Sequence, residues 1–271
     1  FAGTSGEERP DFYSVSDACA YIRSEIEKRT VEIELGVIIP EEYSWSDFYF
    51  LVYDEAMKHT GVPTQGDYML FSSGGYAAIG AGPIEYPDGM YYYILDYQPK
   101  YYSNTEQEQV LNGVVDEILA GLDLENKTEY QKIKTIYRYV CSNVDYDYTH
   151  SGTYYLRYTA YAALVDHLAV CQGYSAAIYR LCLEAGIDAR ILSSTKMNHA
   201  WNLIKFRDKY YEADSTWDTD LSFSYFLKGS DFWLKNHTSS GYSTIGDEIV
   251  RGKLEPQYIV SAENAPKIYI V

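Results

Sequence analysis

Residues 159–218 read TAYAALVDHLAVCQGYSAAIYRLCLEAGIDARILSSTKMNHAWNLIKFRDKYYEADSTWD, and this stretch decides the fold. From Cys171 the apolar residues Ala176, Ala177, Leu181 and Leu183 predict a helix running to Ala185, with Gly186 as its stop. IDARILSST, HAWNLIKF and KYYEADST then have the β-branched and aromatic content of strands. The order is a cysteine heading a helix, His199 on one strand and Asp214 on the next. Thiol, imidazole and carboxylate are the parts of a nucleophile, its base and the group that orients the base.

Local geometry strengthens that set. A helix start offers a cysteine unpaired backbone N–H groups and the positive end of the helix dipole, and both favour a sulfur anion. The main-chain N–H of Cys171 also points toward an oxyanion forming on its own acyl adduct. Gly173 permits close approach of backbone just behind the nucleophile. A tight hairpin at Arg207–Asp208 sets Trp201 opposite Asp214, so Asp214 falls one diagonal step from His199 on the same face. A buried structural cysteine and a satisfied core histidine are the plainer readings of each residue alone. The ordered trio outweighs them.

Upstream, Thr128 opens a helix with Tyr130, Ile133, Ile136, Tyr137 and Val140 inward, and VDYDYTH is its exit. Thr105 to Ala120 is a helix with Val110, Val114, Val115, Ile118 and Leu119 as its apolar face, ended by Gly121. Residues 1–104 form a separate α+β unit of unassigned role, and 105–271 the catalytic unit. Within the first, Ser14 or Ser16 caps a helix to about Arg29. VEIELGVII is a strand, Ser44 or Ser46 opens a second helix, and GMYYYILDYQPKYY is a strong strand. The glycines of SSGGYAAIGAGP lack the pattern of a phosphate loop and read as turns between strands.

A formal charge of −17 with only 22 basic residues excludes a nucleic-acid surface and disfavours anionic membranes. No stretch approaches the ~18 apolar residues of a membrane span. The 31 tyrosines suit half-exposed strands, with peptide or sugar contacts as the functional alternative. Cys19, Cys141 and Cys182 lie in apolar helical patterns and read as small buried hydrophobes, and a Cys19–Cys141 disulfide stays open. The five histidines and four cysteines show no zinc spacing, so no metal or cofactor is expected. The chain opens on Phe1 rather than Met, as a trimmed or mature form would. With the acidic, tyrosine-rich composition, this points to a bacterial surface or secreted protein, with the cytoplasm as alternative.

The segment resembles the bacterial transglutaminase-like (papain-like) superfamily. The residues that carry the resemblance are Cys171 followed by Gly173, His199 to Asn202 as H-A-W-N, and Asp214 with Thr216, Trp217 and Asp218 as D-x-T-W-D. IYRYVCSNVDYDYT also looks like the family's leading helix and tyrosine-bearing turn. The resemblance is strong over roughly 128–220. It implies an α+β fold in which the nucleophile helix packs on an antiparallel sheet. It implies Cys171 as nucleophile, His199 as general base and acid, and Asp214 as orienter.

There is no papain-type glutamine before the cysteine, so the second oxyanion donor is open. Tyr146 and Tyr148 are candidates, since a phenol can donate a hydrogen bond. Gln172, Trp201 and Trp217 are candidates for the substrate cleft, the tryptophans more readily as packing and shielding. The expected activity is acyl transfer through a Cys171 thioester, hydrolysing a peptide or amide bond, on a peptide or protein substrate such as a cell-wall peptide. The alternatives are a cross-linking transglutaminase and a non-catalytic peptide- or glycan-binding module on the same fold.

Overall fold

A computed structural model describes residues 9–149, 155–232, 237, 249, 251–253, 258–260 and 268–270. The chain divides into two compact units, Phe1–Thr60 with Thr64–Thr105, and Gly61–Pro63 with Glu106–Val271.

In the first unit, β1 (Asp11–Phe12), β2 (Ile33–Ile39), β3 (Ser73–Tyr86) and β4 (Met90–Tyr101) form a sheet in the order β1-β2-β4-β3. Helices α1 (Val15–Glu27) and α2 (Trp45–Ala56) bury their apolar stripes with it, Ile22, Ile26, Phe48 and Val52 joining Leu35, Val37, Tyr93, Leu95 and Tyr97 in one core. Alternate residues of β2 and β4 supply that core because successive strand side chains face opposite ways. Ser14 and Ser44 are the helix caps, each accepting the N–H of the residue three further on. A short helix, α3 (Asp67–Phe71), precedes β3.

One expectation for this unit is overturned, and another holds for Tyr76, Tyr91, Tyr92 and Tyr101 but not throughout. SSGGYAAIGAGP does not turn: from Ser73 on it lies within the fourteen-residue strand β3. A Cβ on Gly80 would fall 1.9 Å from the Ile94 carbonyl oxygen, so the glycine is there to let β4 approach. Gly75, at φ +87°, sits in a register shift between Ser73 and Tyr76. Nor are the sheet tyrosines uniformly half-exposed. Tyr93 and Tyr97 are fully buried, and their hydroxyls donate to main-chain carbonyls, Tyr93 to Tyr43 at 3.2 Å and Tyr97 to Tyr49 at 2.8 Å. A phenol whose tip meets a carbonyl can be a core residue.

The second unit begins with α4 (Thr105–Gly121) and α5 (Glu129–Asn143), the latter opened by a capping box between Thr128 and Gln131. The buried face of α4 is Glu108, Leu111 and Val115, and Val110, expected inside, is 49% exposed. Then come β5 (Asp145–Tyr146), α6 (Ala160–Leu164), β6 (Leu168–Ala169) and α7 (Cys171–Glu184). The antiparallel sheet β7 (Ala189–Ser194), β8 (His199–Phe206) and β9 (Lys209–Ala213) follows, with β5 paired in parallel to β6. A separate antiparallel pair, β10 (Tyr258–Val260) and β11 (Ile268–Ile270), closes the described chain.

Helix α7 contacts α5, α6, β7 and β8, and every residue from Gly173 to Leu183 is buried. The buried run includes the polar Ser175 and Arg180, whose guanidinium donates to Asn112 at 2.8 Å. Asn202 of β8 ties it down, its amide donating to the carbonyls of Ser175 at 3.0 Å and Arg190 at 3.2 Å. All four cysteines are free, with Cys19, Cys141 and Cys182 buried. Among the described residues no helix is long and apolar enough to cross a membrane.

Candidate active site

Three sequence-distant side chains meet at the start of α7. Cys171 is its first residue, and Val170, the N-cap, offers no side-chain cap to the free N–H groups behind the sulfur. The Cys171 sulfur and the His199 ring line the same cavity, close enough for the sulfur to help raise the imidazole pKa. Nε2 of His199 lies 2.6 Å from Oδ2 of Asp214, which leaves Nδ1 for the thiol. The hairpin register is the expected one. Phe206 pairs with Lys209 and Asn202 with Ala213, so Asp214 falls one step beyond the ladder, beside Trp201 and diagonal to His199.

Asp214 is fully buried yet supplied with donors. Oδ1 accepts the main-chain N–H groups of Thr216 at 3.0 Å and Trp217 at 3.3 Å. Oδ2 faces His199 and also Nε2 of His237 at 3.0 Å. Burial alone would raise its pKa, but the two imidazole hydrogen bonds and the histidine charges outweigh it and hold the carboxyl below its ordinary value. For His199, burial pulls downward, while the hydrogen bonds to Asp214 and Cys171 and their charges prevail and push it up to about 9. Its ring lies between two indoles, Trp217 at 5.3 Å and 21° and Trp201 at 5.8 Å and 22° between ring centroids and planes.

The loop after Asp214 is built by the second aspartate of D-x-T-W-D. Asp218 is fully buried and accepts the Tyr137 hydroxyl at 2.7 Å, the Tyr225 N–H at 2.9 Å and the Ser222 hydroxyl at 3.0 Å. It thereby returns the chain to run beside β9, where the N–H of Asp214 meets the Tyr225 carbonyl at 3.1 Å. A cavity of about 220 Å³ opens at the sulfur, lined among others by Tyr146, Tyr158, Gln172, Ser194, Asn198 and His199.

Not every candidate arrives at that cavity. Tyr146 does, with its hydroxyl at the main-chain N–H of Cys171, and burial followed by the nearby Cys171 sulfur raises its pKa. Gln172 lines the cavity as well. Tyr148 does not: it is 78% exposed, with its ring against that of Tyr146. Strand-like alternation after Asp145 sends these two tyrosines the same way, but β5 ends at Tyr146. Trp201 is not in the cleft either. It is buried with Leu192 and Leu203, its indole N–H donating to Glu212 at 2.7 Å. Trp217, 40% exposed, covers the His199 ring without lining the cavity. His237 was missed, because nothing in the local sequence singles it out from the other histidines.

His199, Asp214 and His237 bring three ligand-type atoms within 4.8 Å of one another, as do Glu32, Glu34 and Asp96 of the first unit. The 2.6 and 3.0 Å spacings around Asp214 are those of imidazole–carboxylate hydrogen bonds. Donors around a tetrahedral ion held at ~2.0 Å stand about 3.3 Å apart, so the arrangement fits proton-sharing better than a metal.

Gly173 places the nucleophile. A Cβ there would stand 2.7 Å from the Arg157 carbonyl oxygen, 2.7 Å from Cβ of Ala169 and 3.0 Å from the Thr159 carbonyl oxygen. Backbone atoms cannot step aside as a flexible side chain can. Gly173→Ala is expected to cost about 1–3 kcal/mol in urea denaturation and to shift the first turn of α7, slowing Cys171 alkylation with it. Unchanged stability and alkylation would mean that the crowding is relieved without moving the helix.

Residues 116–215, which contain Cys171, His199 and Asp214, match the family model of the transglutaminase-like superfamily. A 122-residue stretch, 40% of this chain, is 22% identical to the human kyphoscoliosis peptidase and spans 18% of that protein's length. Among solved structures the chain is similar to a TGase, at 14% identity and a TM-score of 0.38 over 87% of this chain and 65% of that one. It is also similar to a candidate cysteine protease from Cytophaga hutchinsonii, at 14% identity and a TM-score of 0.32 over 53% and 65% of the two chains. Structural likenesses this distant carry no inference about activity.

Proposed function

We propose that the transglutaminase-like domain of this chain is a thiol-dependent acyl-transfer enzyme that hydrolyses a peptide or amide bond. The observation that carries the reading is the meeting of Cys171 and His199 at one cavity, with His199 hydrogen-bonded to the buried Asp214. Asp214 stays ionised and aims the ring, and His199 shares the thiol proton. The sulfur attacks the substrate carbonyl carbon, and the carbonyl oxygen takes up negative charge beside the N–H groups that open α7. As the C–N bond breaks, protonated His199 gives its proton to the departing amine and a Cys171 thioester remains. His199 then takes a proton from water, whose oxygen attacks the thioester and releases the acid and the thiol. Tyr146, set at the Cys171 N–H, is the side chain placed to touch the oxyanion.

The test is thiol labelling of the full chain at pH 7. A chloroacetamide probe should modify Cys171 before the other three cysteines. Burial raises their pKa values, Cys19 to about 11, Cys182 to about 12 and Cys141 further. His199→Ala should slow the Cys171 reaction by at least about tenfold. Labelling of Cys171 at the same rate with and without His199 overturns the proposal. Release of a free acid from an ester substrate in the presence of a primary amine distinguishes hydrolysis from cross-linking, which would transfer the acyl group to the amine.

A further inference from the structure

His237 is a side-chain contact of the Asp214 carboxylate that the three-residue mechanism does not use. Its side chain is fully buried, and its Nε2 stands 3.0 Å from Oδ2, the oxygen that His199 Nε2 reaches at 2.6 Å. An ionised carboxylate only accepts, so both imidazoles present N–H to it. The carboxylate is then held at four points, two main-chain N–H groups on Oδ1 and two imidazoles on Oδ2. The His237 ring also packs at 4.2 Å from Trp217 and, edge on, at 5.0 Å from Trp201, the two indoles that flank His199. Burial, its largest influence, keeps the His237 pKa below the ordinary value despite Asp214, so it is a neutral donor at neutral pH.

We propose that His237 is a positioning residue for acyl transfer: its Nε2–H fixes the Asp214 carboxylate so that His199 stays aimed at Cys171. The inference rests on reading Cys171, His199 and Asp214 as the catalytic set. Without the second imidazole, Oδ2 is held only by the ring it is meant to orient, and the two N–H groups on Oδ1 leave the carboxylate free to tilt about that oxygen. A displacement of ~1 Å in such a site costs about 10²-fold in rate.

Three variants of the full chain separate the hydrogen bond from the packing. His237→Gln keeps an N–H donor at the position of Nε2, His237→Phe keeps a flat ring without the donor, and His237→Ala removes both. The measurements are the rate of Cys171 alkylation by iodoacetamide at pH 7 and urea stability, so that rates are compared per folded molecule. The expected result is a fall of about 10–100-fold for His237→Ala and His237→Phe, with His237→Gln within a few-fold of the parent. A merely structural residue gives the reverse, with His237→Phe at the parent rate or with rates unchanged in all folded variants, and either outcome overturns the inference. The His199→Ala control keeps the two proposals apart. If it leaves alkylation unchanged, the catalytic reading itself fails. If it slows alkylation while the His237 variants match the parent, only the role of His237 fails.

Discussion

Cys171→Ala is expected to abolish turnover while leaving the fold in place. With p-nitrophenyl acetate as a generic acyl donor, the parent chain is expected to release a burst of one nitrophenolate per molecule and then a slow steady phase as the thioester hydrolyses. The alanine variant shows no burst, and its steady rate falls by at least about 10³-fold. No other thiol can take over, because Cys19, Cys141 and Cys182 are all buried. Stability should move by less than about 1 kcal/mol, since Cys171 is only partly buried at a helix end and alanine is well tolerated there. A burst of normal size from Cys171→Ala would place the acyl acceptor elsewhere and end the thiol mechanism.

Asp214→Ala combines the largest stability loss with a large loss of activity. The substitution leaves His199, His237 and the N–H groups of Thr216 and Trp217 without their shared acceptor in a buried site. Removing one side of a buried charged pair costs about 3–5 kcal/mol, and losing the orienter of a catalytic imidazole costs up to about 10⁴-fold in rate. The pH dependence has a definite sign. The folded-state pKa of His199 is raised to about 9, so its stabilisation is complete below its unfolded value of about 6.5 and is lost as pH rises through about 9. The folded-state pKa of Asp214 is lowered, so the carboxylate's contribution is present above its unfolded value of about 3.9 and fades as pH falls through the folded one. Urea denaturation of parent and Asp214→Ala should therefore differ most between about pH 4 and 6.5, and the gap should narrow above pH 9, where His199 is neutral but the Thr216, Trp217 and His237 hydrogen bonds to Asp214 remain. A gap that is flat from pH 5 to 10 would show that the His199–Asp214 pair adds no charge-dependent stability.

Where sequence and structure agree, the physics is local. The cysteine-headed helix is marked by its start and by Gly186, and the hairpin register follows from one tight turn, so the meeting of His199 and Asp214 is a matter of parity. Disagreement begins where a residue's role depends on distant chain. The glycines of β3 look like turn residues until β4 is seen to press against Gly80. Tyr93 and Tyr97 look half-exposed until main-chain carbonyls come within reach of their hydroxyls. Val110 shares the spacing of the apolar stripe on α4, but the buried stripe centres on Leu111 and Val115. His237 reaches Asp214 from 23 residues away, and no periodicity spans that distance.

The two hydrogen bonds of the Asn202 amide have a bearing on how such a site can diversify. By clasping α7 and β7 from β8, Asn202 makes the elements that carry sulfur and imidazole a single rigid chassis. The turn 195–198, with Thr195 and Asn198 on the cavity wall, lies outside that clasp. Inheritance can thus rewrite that turn residue by residue while the reactive atoms keep their spacing. One amide separates the part of this molecule that is open to change from the part that must stay as it is.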